Sequence, residues 1–193
     1  TWFSSGQWPY LVLGYPENED YQNFYPTDVM ETGRDLIFKW VPRMVIFGLY
    51  RTEKAPFHTV YMHGLVNDAK GQKMSKSKGN VISPLVLTEK YGTDALRMSL
   101  IVGNTPGTDL SLSPDKIKAY KHFANKIWNA SRYVIENSNQ ENDDSLLNEE
   151  DKKIWAEFET LKEDITNDME NFRFYMAGEK IYHYFWHTFA DII

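Results

Sequence analysis

A glycine-flanked loop rich in lysine is the part of this sequence best suited to chemistry. Residues 71–80 read GQKMSKSKGN and carry Lys73, Lys76 and Lys78. Glycine lets a backbone approach a bound group closely, and each ammonium is a point-charge partner for phosphate oxygens. The loop therefore predicts a polyphosphate site, with ordinary solvent-exposed lysines as the alternative interpretation. It is not a Walker loop, because the chain has no G-x-x-x-x-G-K-S/T run.

The elements that must position this loop follow an α/β pattern. Before the loop, the sequence predicts a strand ending near Gly33 and a helix whose apolar residues recur at helical spacing between residues 36 and 47. Pro42 lies inside that helical pattern and predicts a kink or a break. A second strand is expected to end at Gly64. After the loop, a short helix is predicted between Ser83 as N-cap and Gly92 just beyond its end.

A helical pattern begins near Ser113 and continues to the end of the printed sequence. One amphipathic helix is predicted from about Asp115 to Glu136, followed by the polar linker NSNQENDDS. Asn148 and Asp151 are placed like a capping box for a second helix, and a third runs through residues 177–192. We therefore predict an α/β half, residues 1–113, followed by an α-helical bundle, residues 114–193.

Composition excludes several protein classes. The 193 residues are 42% hydrophobic, carry a net charge of -6 and include no cysteine. Neither a disulfide framework nor a thiolate zinc site is possible in this piece, and a reducing cytoplasmic location is expected. No apolar run approaches the roughly 18 residues of a membrane span. No metal site is predicted, because His183 and His187 lack the intervening acid of metalloprotease helices, and packing is the favoured interpretation.

The loop and its surroundings resemble the class I aminoacyl-tRNA synthetases. KMSKS, residues 73–77, is a signature of that class. Five further blocks, before and after the loop, occur along the chain in the order of the valyl-tRNA synthetase family. These blocks are TWFSSGQWP, TGRDLIFKWVPRM, YGTDALRMSL, FANKIWNASRYV and IYHYFWHTFAD. The resemblance covers nearly the whole chain. It implies the C-terminal half of a Rossmann-like catalytic domain, followed by the start of an anticodon-binding domain.

The resemblance implies activation of valine by ATP and Mg²⁺, then transfer of the valyl group to tRNA(Val). A carboxylate nucleophile is already ionised at neutral pH, so catalysis is mainly positioning and charge stabilisation. Lys73 and Lys76 are assigned to the phosphates, with Lys76 the more important. Ser75 and Ser77 are assigned to loop shape or to phosphate hydrogen bonds.

The same resemblance assigns further ATP-binding residues at the ends of the two predicted strands. Gly33 and Asp35 match the pair that holds the ribose; an N-cap is the alternative for Asp35, and both roles could hold. His63 and Gly64 match the adenine side, with His63 alternatively an ordinary strand-end residue. The base edge would be read by backbone groups of Met62 or Leu65.

The valine side chain is expected in a pocket walled by Trp2, Leu36 and Trp40, positions that the resemblance implies. Aromatic and aliphatic walls suit a small branched substrate. Aromatic residues at helical spacing are also common in cores, and that alternative stays open. Lys39 and Pro42 depart from the family pattern next to this pocket.

Two alternatives to a valine-activating enzyme remain. Isoleucyl-tRNA synthetases share the lysine loop, although a Gly-Ser-Asp-Gln run is usual there and this chain has Gly-Arg-Asp-Leu at residues 33–36. A non-catalytic tRNA-binding paralogue is the other, because the second class signature, His-x-Gly-His, is absent from these 193 residues. For the same reason residues 1–193 alone are expected to fold at least in part but neither to activate valine nor to charge tRNA.

Overall fold

The computed structural model describes residues 1–138 and 147–192, and the chain divides into two compact units. The first unit takes in Thr1–Leu65 and Pro106–Asp109, and the second takes in Val66–Thr105 and Leu110–Ile193. Each unit contains its own cluster of buried apolar side chains. Neither unit coincides with the domains predicted for the sequence, and the predicted boundary between residues 113 and 114 stays a prediction.

A parallel pair of strands organises the first unit. Strand β1 (Thr27–Gly33) pairs with β2 (Phe57–His63), and the last residues of the two strands lie opposite each other. Helix α4 (Val41–Thr52) connects them. Parallel strands need such a crossover, and it brings both carboxyl ends to one edge of the sheet, where open α/β folds bind ligands.

Helix α4 begins later than its apolar pattern suggests. Residues Arg34–Leu36 form a 3₁₀ turn, and the α-helix starts only at Val41, with Pro42 in its first turn. The sequence predicts either a kink or a break at Pro42, and the structure shows a break before the α-helix. Proline lacks the amide hydrogen that an interior helical position would donate, whereas the first turn does not require it. Leu36 and Trp40 consequently precede the helix rather than lying on it.

Three short helices precede the strand pair in the sequence, and the first two pack on α4. They are α1 (Trp2–Gly6), α2 (Trp8–Leu11) and α3 (Glu19–Phe24). A Cβ on Gly6 would lie 2.7 Å from the Phe47 ring, so glycine allows α1 to pack closely on α4. The Trp40 indole Nε1–H donates to the Ser5 carbonyl at 3.0 Å. The buried cluster of this unit consists of Met30, Val41, Met44 and Phe57.

The second unit begins with two short strands and two helices. Strands β3 (Val66–Asn67) and β4 (Leu110–Ser111) are parallel, and helices α5 (Pro84–Tyr91) and α6 (Thr93–Ile101) lie between them in the sequence. As predicted, α5 starts after Ser83 and ends just before Gly92, whose φ of 94° favours glycine. The buried cluster of the unit is Leu87, Ala95, Leu96, Leu112 and Ile117.

Three longer helices complete the second unit. Helix α7 (Pro114–Asn137) is capped by the Ser113 hydroxyl, which accepts from the Lys116 amide at 3.2 Å. Helix α8 (Glu149–Glu170) starts with the predicted capping box. Helix α9 (Phe174–His183) continues as a π-helical segment, Tyr184–Phe189, whereas the sequence predicts one regular helix. Most of the predicted polar linker lies outside the described residues.

Aromatic side chains join α7 to α9. Phe123, which is 2% exposed, contacts the rings of Tyr182, Phe185 and Trp186. The His183 and His187 rings lie side by side with their centroids 5.4 Å apart. Among the helices of the described residues, none is both long and apolar enough to cross a membrane.

A buried carboxylate ties α8 to α9. The Asp168 side chain is 2% exposed, and its two oxygens lie 2.8 Å from Arg173 Nε and 2.8 Å from Lys180 Nζ. The interaction with Lys180 is the main cause that lowers the pKa of the Asp168 carboxyl below its ordinary value, with Arg173 contributing in the same direction. A carboxylate with a lowered pKa stabilises the fold above its ordinary pKa, and this contribution is lost as pH falls through the lower folded value.

We expect Asp168→Asn to lower the unfolding temperature of the helical part at pH 7, because Lys180 and Arg173 would lose their anionic partner. The difference from the unmutated protein should shrink below about pH 4, where an ordinary aspartate is protonated. Thermal denaturation followed by circular dichroism at pH 7 and pH 3 measures this. Asp164→Asn is the matched control, since that carboxylate is 62% exposed and 3.6 Å from Lys180. Equal shifts for the two variants at pH 7 would contradict the expectation.

Candidate functional site

The lysine loop belongs to the second unit and ends in a tight turn. Residues Lys76–Lys78 form a 3₁₀ turn that stops at Gly79, whose φ of 68° lies in the left-handed region. The side chains of Lys73, Lys76 and Lys78 are exposed. Of the residues that the structure describes, none forms an ion pair with these three lysines. Their ammonium groups are therefore available to an anionic ligand.

Asp68 shapes the approach to the loop. Its Oδ1 accepts hydrogen bonds from the Lys70 and Gln72 amides at 2.9 and 2.8 Å, and the Gly71 amide donates to the Asp68 carbonyl at 2.9 Å. The hydrogen bond from Asn80 is the main cause that lowers the pKa of the Asp68 carboxyl, and the Gln72 amide adds to it. The carboxylate is thus held in the ionised form that accepts these bonds.

Asn80 closes the loop at its other end. Its Nδ2 donates to Asp68 Oδ2 at 2.9 Å and to the Lys73 carbonyl at 3.3 Å, while its Oδ1 accepts from the Ser75 amide at 2.9 Å. Between these contacts, the Met74 side chain packs against the buried cluster of the second unit. The Asn80 side chain therefore binds the backbone on both sides of Met74. The first half of the KMSKS segment is anchored by these hydrogen bonds and by the packing of Met74.

The strand ends of the first unit bring a second set of polar groups together. A Cβ placed on Gly33 would lie 3.0 Å from Asp35 Oδ1 and 3.6 Å from His63 Nε2. Both side chains therefore lie beside the bare Gly33 backbone. His63 Nδ1 is paired with the Glu31 carboxylate. Carboxylate and imidazole groups next to a backbone that carries no side chain can hydrogen-bond a polyhydroxyl ligand such as ribose.

A four-residue segment, Pro106–Asp109, is bound to this sheet edge and is here called the strap. The Arg34 guanidinium donates to the Gly107 carbonyl at 2.8 Å and pairs with Asp109 Oδ2 at 3.0 Å. Asp109 Oδ1 accepts from the Leu65 amide at 2.8 Å, and the Gly107 amide donates to the Met62 carbonyl at 2.9 Å. The Leu65 amide and one lone pair of the Met62 carbonyl are thus already used, which limits how these groups could read an adenine edge.

Gly64 is required by the strap. A Cβ at this position would lie 1.9 Å from the Thr108 carbonyl oxygen, well inside any permitted contact. The glycine is buried. The predicted place of Gly64 beside a nucleotide stays a prediction. The contact with the strap is by itself enough to require a residue without a side chain at this position.

The three residues predicted to wall a valine pocket, Trp2, Leu36 and Trp40, all belong to the first unit. Trp2 lines a cavity of about 340 Å³ together with Arg43, whose guanidinium carbon lies 4.5 Å from the centre of the Trp2 ring. Trp40 lines another cavity, of about 270 Å³, with Trp8. Leu36 is half-buried in the turn before α4. Trp2 and Trp40 thus line different cavities, and their shared role with Leu36 in a valine pocket stays a prediction.

The structure places the predicted ATP-binding residues in two sets, one in each unit. Residues that sequence reasoning missed support both sets: Asp68 and Asn80 hold the loop, while Arg34 and Asp109 hold the strap. A local signal existed only for Asp68, because Asn-Asp-Ala-Lys-Gly is a typical turn composition. The predicted catalytic and binding roles of the site residues remain predictions.

Two sequence families match the chain. The family described as tRNA synthetases class I (I, L, M and V) matches residues 1–113. The family described as the anticodon-binding domain of tRNA ligase matches residues 151–193.

Curated relatives named valine–tRNA ligase align with nearly the whole chain. The Pelagibacter ubique protein is 48% identical over 199 residues, and the Clostridium acetobutylicum protein is 46% identical over 197 residues. Each alignment covers 99% of this chain but only 22% of the relative. The chain therefore spans about a fifth of the length of these relatives, and the predicted resemblance to the valyl-tRNA synthetases is confirmed.

Solved synthetase structures share the fold. A LeuRS–tRNA–LeuAMS ternary complex from Agrobacterium radiobacter K84 matches 93% of this chain and 25% of its own, with a TM-score of 0.76 at 23% identity. Methionyl-tRNA synthetase from Mycobacterium tuberculosis, in complex with methionyl-adenylate, matches 89% of this chain and 35% of its own, with a TM-score of 0.70 at 23% identity. The predicted fold class, an α/β part followed by helices, is confirmed. Because the family match over residues 1–113 takes in more than half of the chain, the chain belongs to the class I tRNA synthetases of the I, L, M and V group.

Proposed function

We propose that this chain is part of a valine–tRNA ligase, which activates valine with ATP and transfers it to tRNA(Val). The observation that carries the proposal is the KMSKS loop, anchored by Asp68 and Asn80, with the exposed ammonium groups of Lys73 and Lys76. The choice of valine is supported by the 48% identity to a valine–tRNA ligase.

The reaction needs positioning and charge more than acid–base chemistry. The valine carboxylate attacks the α-phosphorus of ATP, a new C–O–P linkage forms, and the bond to the β-phosphate breaks, so that pyrophosphate leaves. A ribose hydroxyl at the 3′ end of tRNA then attacks the valyl carbonyl, and AMP leaves. Because a carboxylate is ionised at neutral pH, the first step requires no general base.

In this proposal the lysine loop serves the phosphates. Lys73 and Lys76 neutralise charge that develops on the α-phosphoryl group and on the departing pyrophosphate. Ser75 and Ser77, whose hydroxyl oxygens lie 3.2 Å apart, shape the loop or donate to phosphate oxygens. In the other unit, Gly33 and Asp35 hold the ribose, while His63 and Gly64 with the Met62 and Leu65 backbone serve the adenine side. The last group, Trp2, Leu36 and Trp40, contacts the valine side chain.

Magnesium fits this scheme as part of the ATP substrate. Within residues 1–138 and 147–192 no group of three or more histidine or acidic side chains is arranged to hold a metal ion. Mg²⁺ commonly keeps its waters and binds through substrate phosphates with one or two carboxylates. We therefore expect Mg²⁺ to enter with ATP, neutralising phosphate charge alongside the lysines.

The tRNA partner is inferred from the second unit. Its residues 151–193 match an anticodon-binding domain of tRNA ligases, which supports contact with tRNA(Val). The cytoplasmic location is likewise a proposal, and it follows from the similarity to valine–tRNA ligases.

We expect the complete ligase to activate valine with a higher kcat/KM than isoleucine or threonine. An apolar pocket gains or loses about 1–3 kcal/mol for one methylene, so crowding should disfavour isoleucine by roughly 10- to 200-fold. Threonine is nearly the same size as valine, so the apolar pocket should reject it less sharply. Valine-specific synthetases are themselves the example behind that generalisation. Pyrophosphate exchange with each amino acid measures the three constants. If isoleucine were the best substrate, the isoleucyl alternative would replace this proposal; no exchange with any amino acid would favour a non-catalytic paralogue.

A further inference from the structure

We propose that Asp68 and Asn80 are positioning residues that set Lys73 and Lys76 for the phosphates. This inference rests on the proposed function. Neither side chain carries a positive charge or is assigned a contact with substrate, so their effect would pass through the loop backbone.

The contacts of Asn80 divide the loop into an anchored part and a free tip. Its amide group binds the Lys73 carbonyl and the Ser75 amide, which flank Met74. In contrast, the turn from Lys76 to Lys78 is exposed, and its backbone bonds at Lys78 and Gly79 are local. Asn80 thereby fixes where the tip begins, while the lysine side chains stay free to meet an anion.

Asp68 fixes Asn80 in turn. Its Oδ2 accepts from Asn80, and its Oδ1 holds the Lys70 and Gln72 amides. A short antiparallel bridge between Asn67 and Lys73 also anchors the start of the loop. Two side chains that are 12 positions apart in the sequence therefore join the two ends of the loop.

The position of a lysine ammonium depends on an anchored backbone more than the position of a rigid group would. Its four-carbon stem is flexible, so the backbone sets the region of space that the charge can reach. Misplacement of a catalytic group by about 1 Å can cost up to roughly 100-fold in rate. The anchored loop thus explains how mobile lysines could act at one defined place.

The test uses Asn80→Ala and the isosteric Asp68→Asn in the complete ligase. Each should lower kcat for valine-dependent pyrophosphate exchange by at least about tenfold, while the KM for valine stays within twofold. Trypsin should also cleave faster after Lys73, Lys76 and Lys78, a readout that requires no activity. Gln72→Ala is the matched control, because its backbone amide keeps the bond to Asp68, and it should behave as the unmutated ligase.

Coupling to Lys76 separates positioning from simple loss of stability. In a Lys76→Ala background, Asn80→Ala should cost less than about threefold, because residues that act as a unit have non-additive effects. Full additivity, or unchanged tryptic cleavage in both variants, would overturn the inference. Failure of the unmutated ligase to use valine would instead count against the proposed function, and the same ratios would then be measured with the amino acid it activates.

Discussion

Lys76→Ala in the complete ligase should lower valine-dependent pyrophosphate exchange by about 100-fold. Removing one preorganised group that stabilises transition-state charge typically costs 100- to 1,000-fold, and an exposed flexible lysine belongs at the lower end of that range. The KM for valine should change little, because the ammonium is assigned to the phosphates rather than to the amino acid. Binding of tRNA, measured by filter retention, should be nearly unchanged.

Lys78→Ala is the control for this experiment. Lys78 lies on the same 3₁₀ turn, is also exposed, and carries the same charge. A general electrostatic effect of the loop would reduce exchange similarly in both variants. The assignment of Lys76 would be wrong if its replacement cost less than about threefold, which corresponds to under about 1 kcal/mol.

Gly64→Ala should detach the strap from the sheet edge. The new methyl group would overlap the Thr108 carbonyl oxygen, at 1.9 Å, and backbone on both sides leaves no flexible side chain to move away. The hydrogen bonds to Gly107 and Asp109 would be lost, at about 1 kcal/mol each. We expect a local destabilisation of about 3 kcal/mol or more, because typical overpacking alone costs up to about that much.

Hydrogen exchange followed by mass spectrometry measures this change directly. Peptides that contain the Leu65 and Gly107 amides should lose protection in Gly64→Ala, while peptides from α8 keep theirs. Gly107→Ala is the control, since its φ of 74° makes alanine strained but its Cβ would meet open space. That variant should cost only about 1–2 kcal/mol. Equal protection in Gly64→Ala and the unmutated protein would contradict the role of the strap.

Local signals explain which parts of the fold could be predicted from the sequence. The starts of α7 and α8 were predictable because Ser113, and Asn148 with Asp151, cap helices within three residues of themselves. The late start of α4 was only partly predictable. Its apolar spacing continues back to Leu36, and only the proline indicates where the helix cannot extend.

The candidate site likewise has parts that the sequence predicts and parts that it does not. The lysines and glycines of the loop are visible in ten consecutive residues, and the resemblance assigned their roles. The Arg34–Asp109 pair joins positions 75 apart, and no local pattern indicates it. Likewise, Asn80 has no feature that identifies its partners, because its contacts exist only after the chain has turned back on itself. Tertiary contacts of this kind require the structure.

The strap also has a consequence for the order of events during protein synthesis. Its residues belong to the first unit, yet they follow the last strand residue of that unit by more than 40 positions, and the Leu65 amide meets Asp109 across a separation of 44. Ribosomes add about 5–20 residues per second, so the sheet edge of the nascent chain waits roughly 2 to 9 s for its missing segment. During that interval the Leu65 amide lacks its Asp109 partner, and the Arg34 guanidinium lacks both Gly107 and Asp109. The first unit is thus encoded early but completed late.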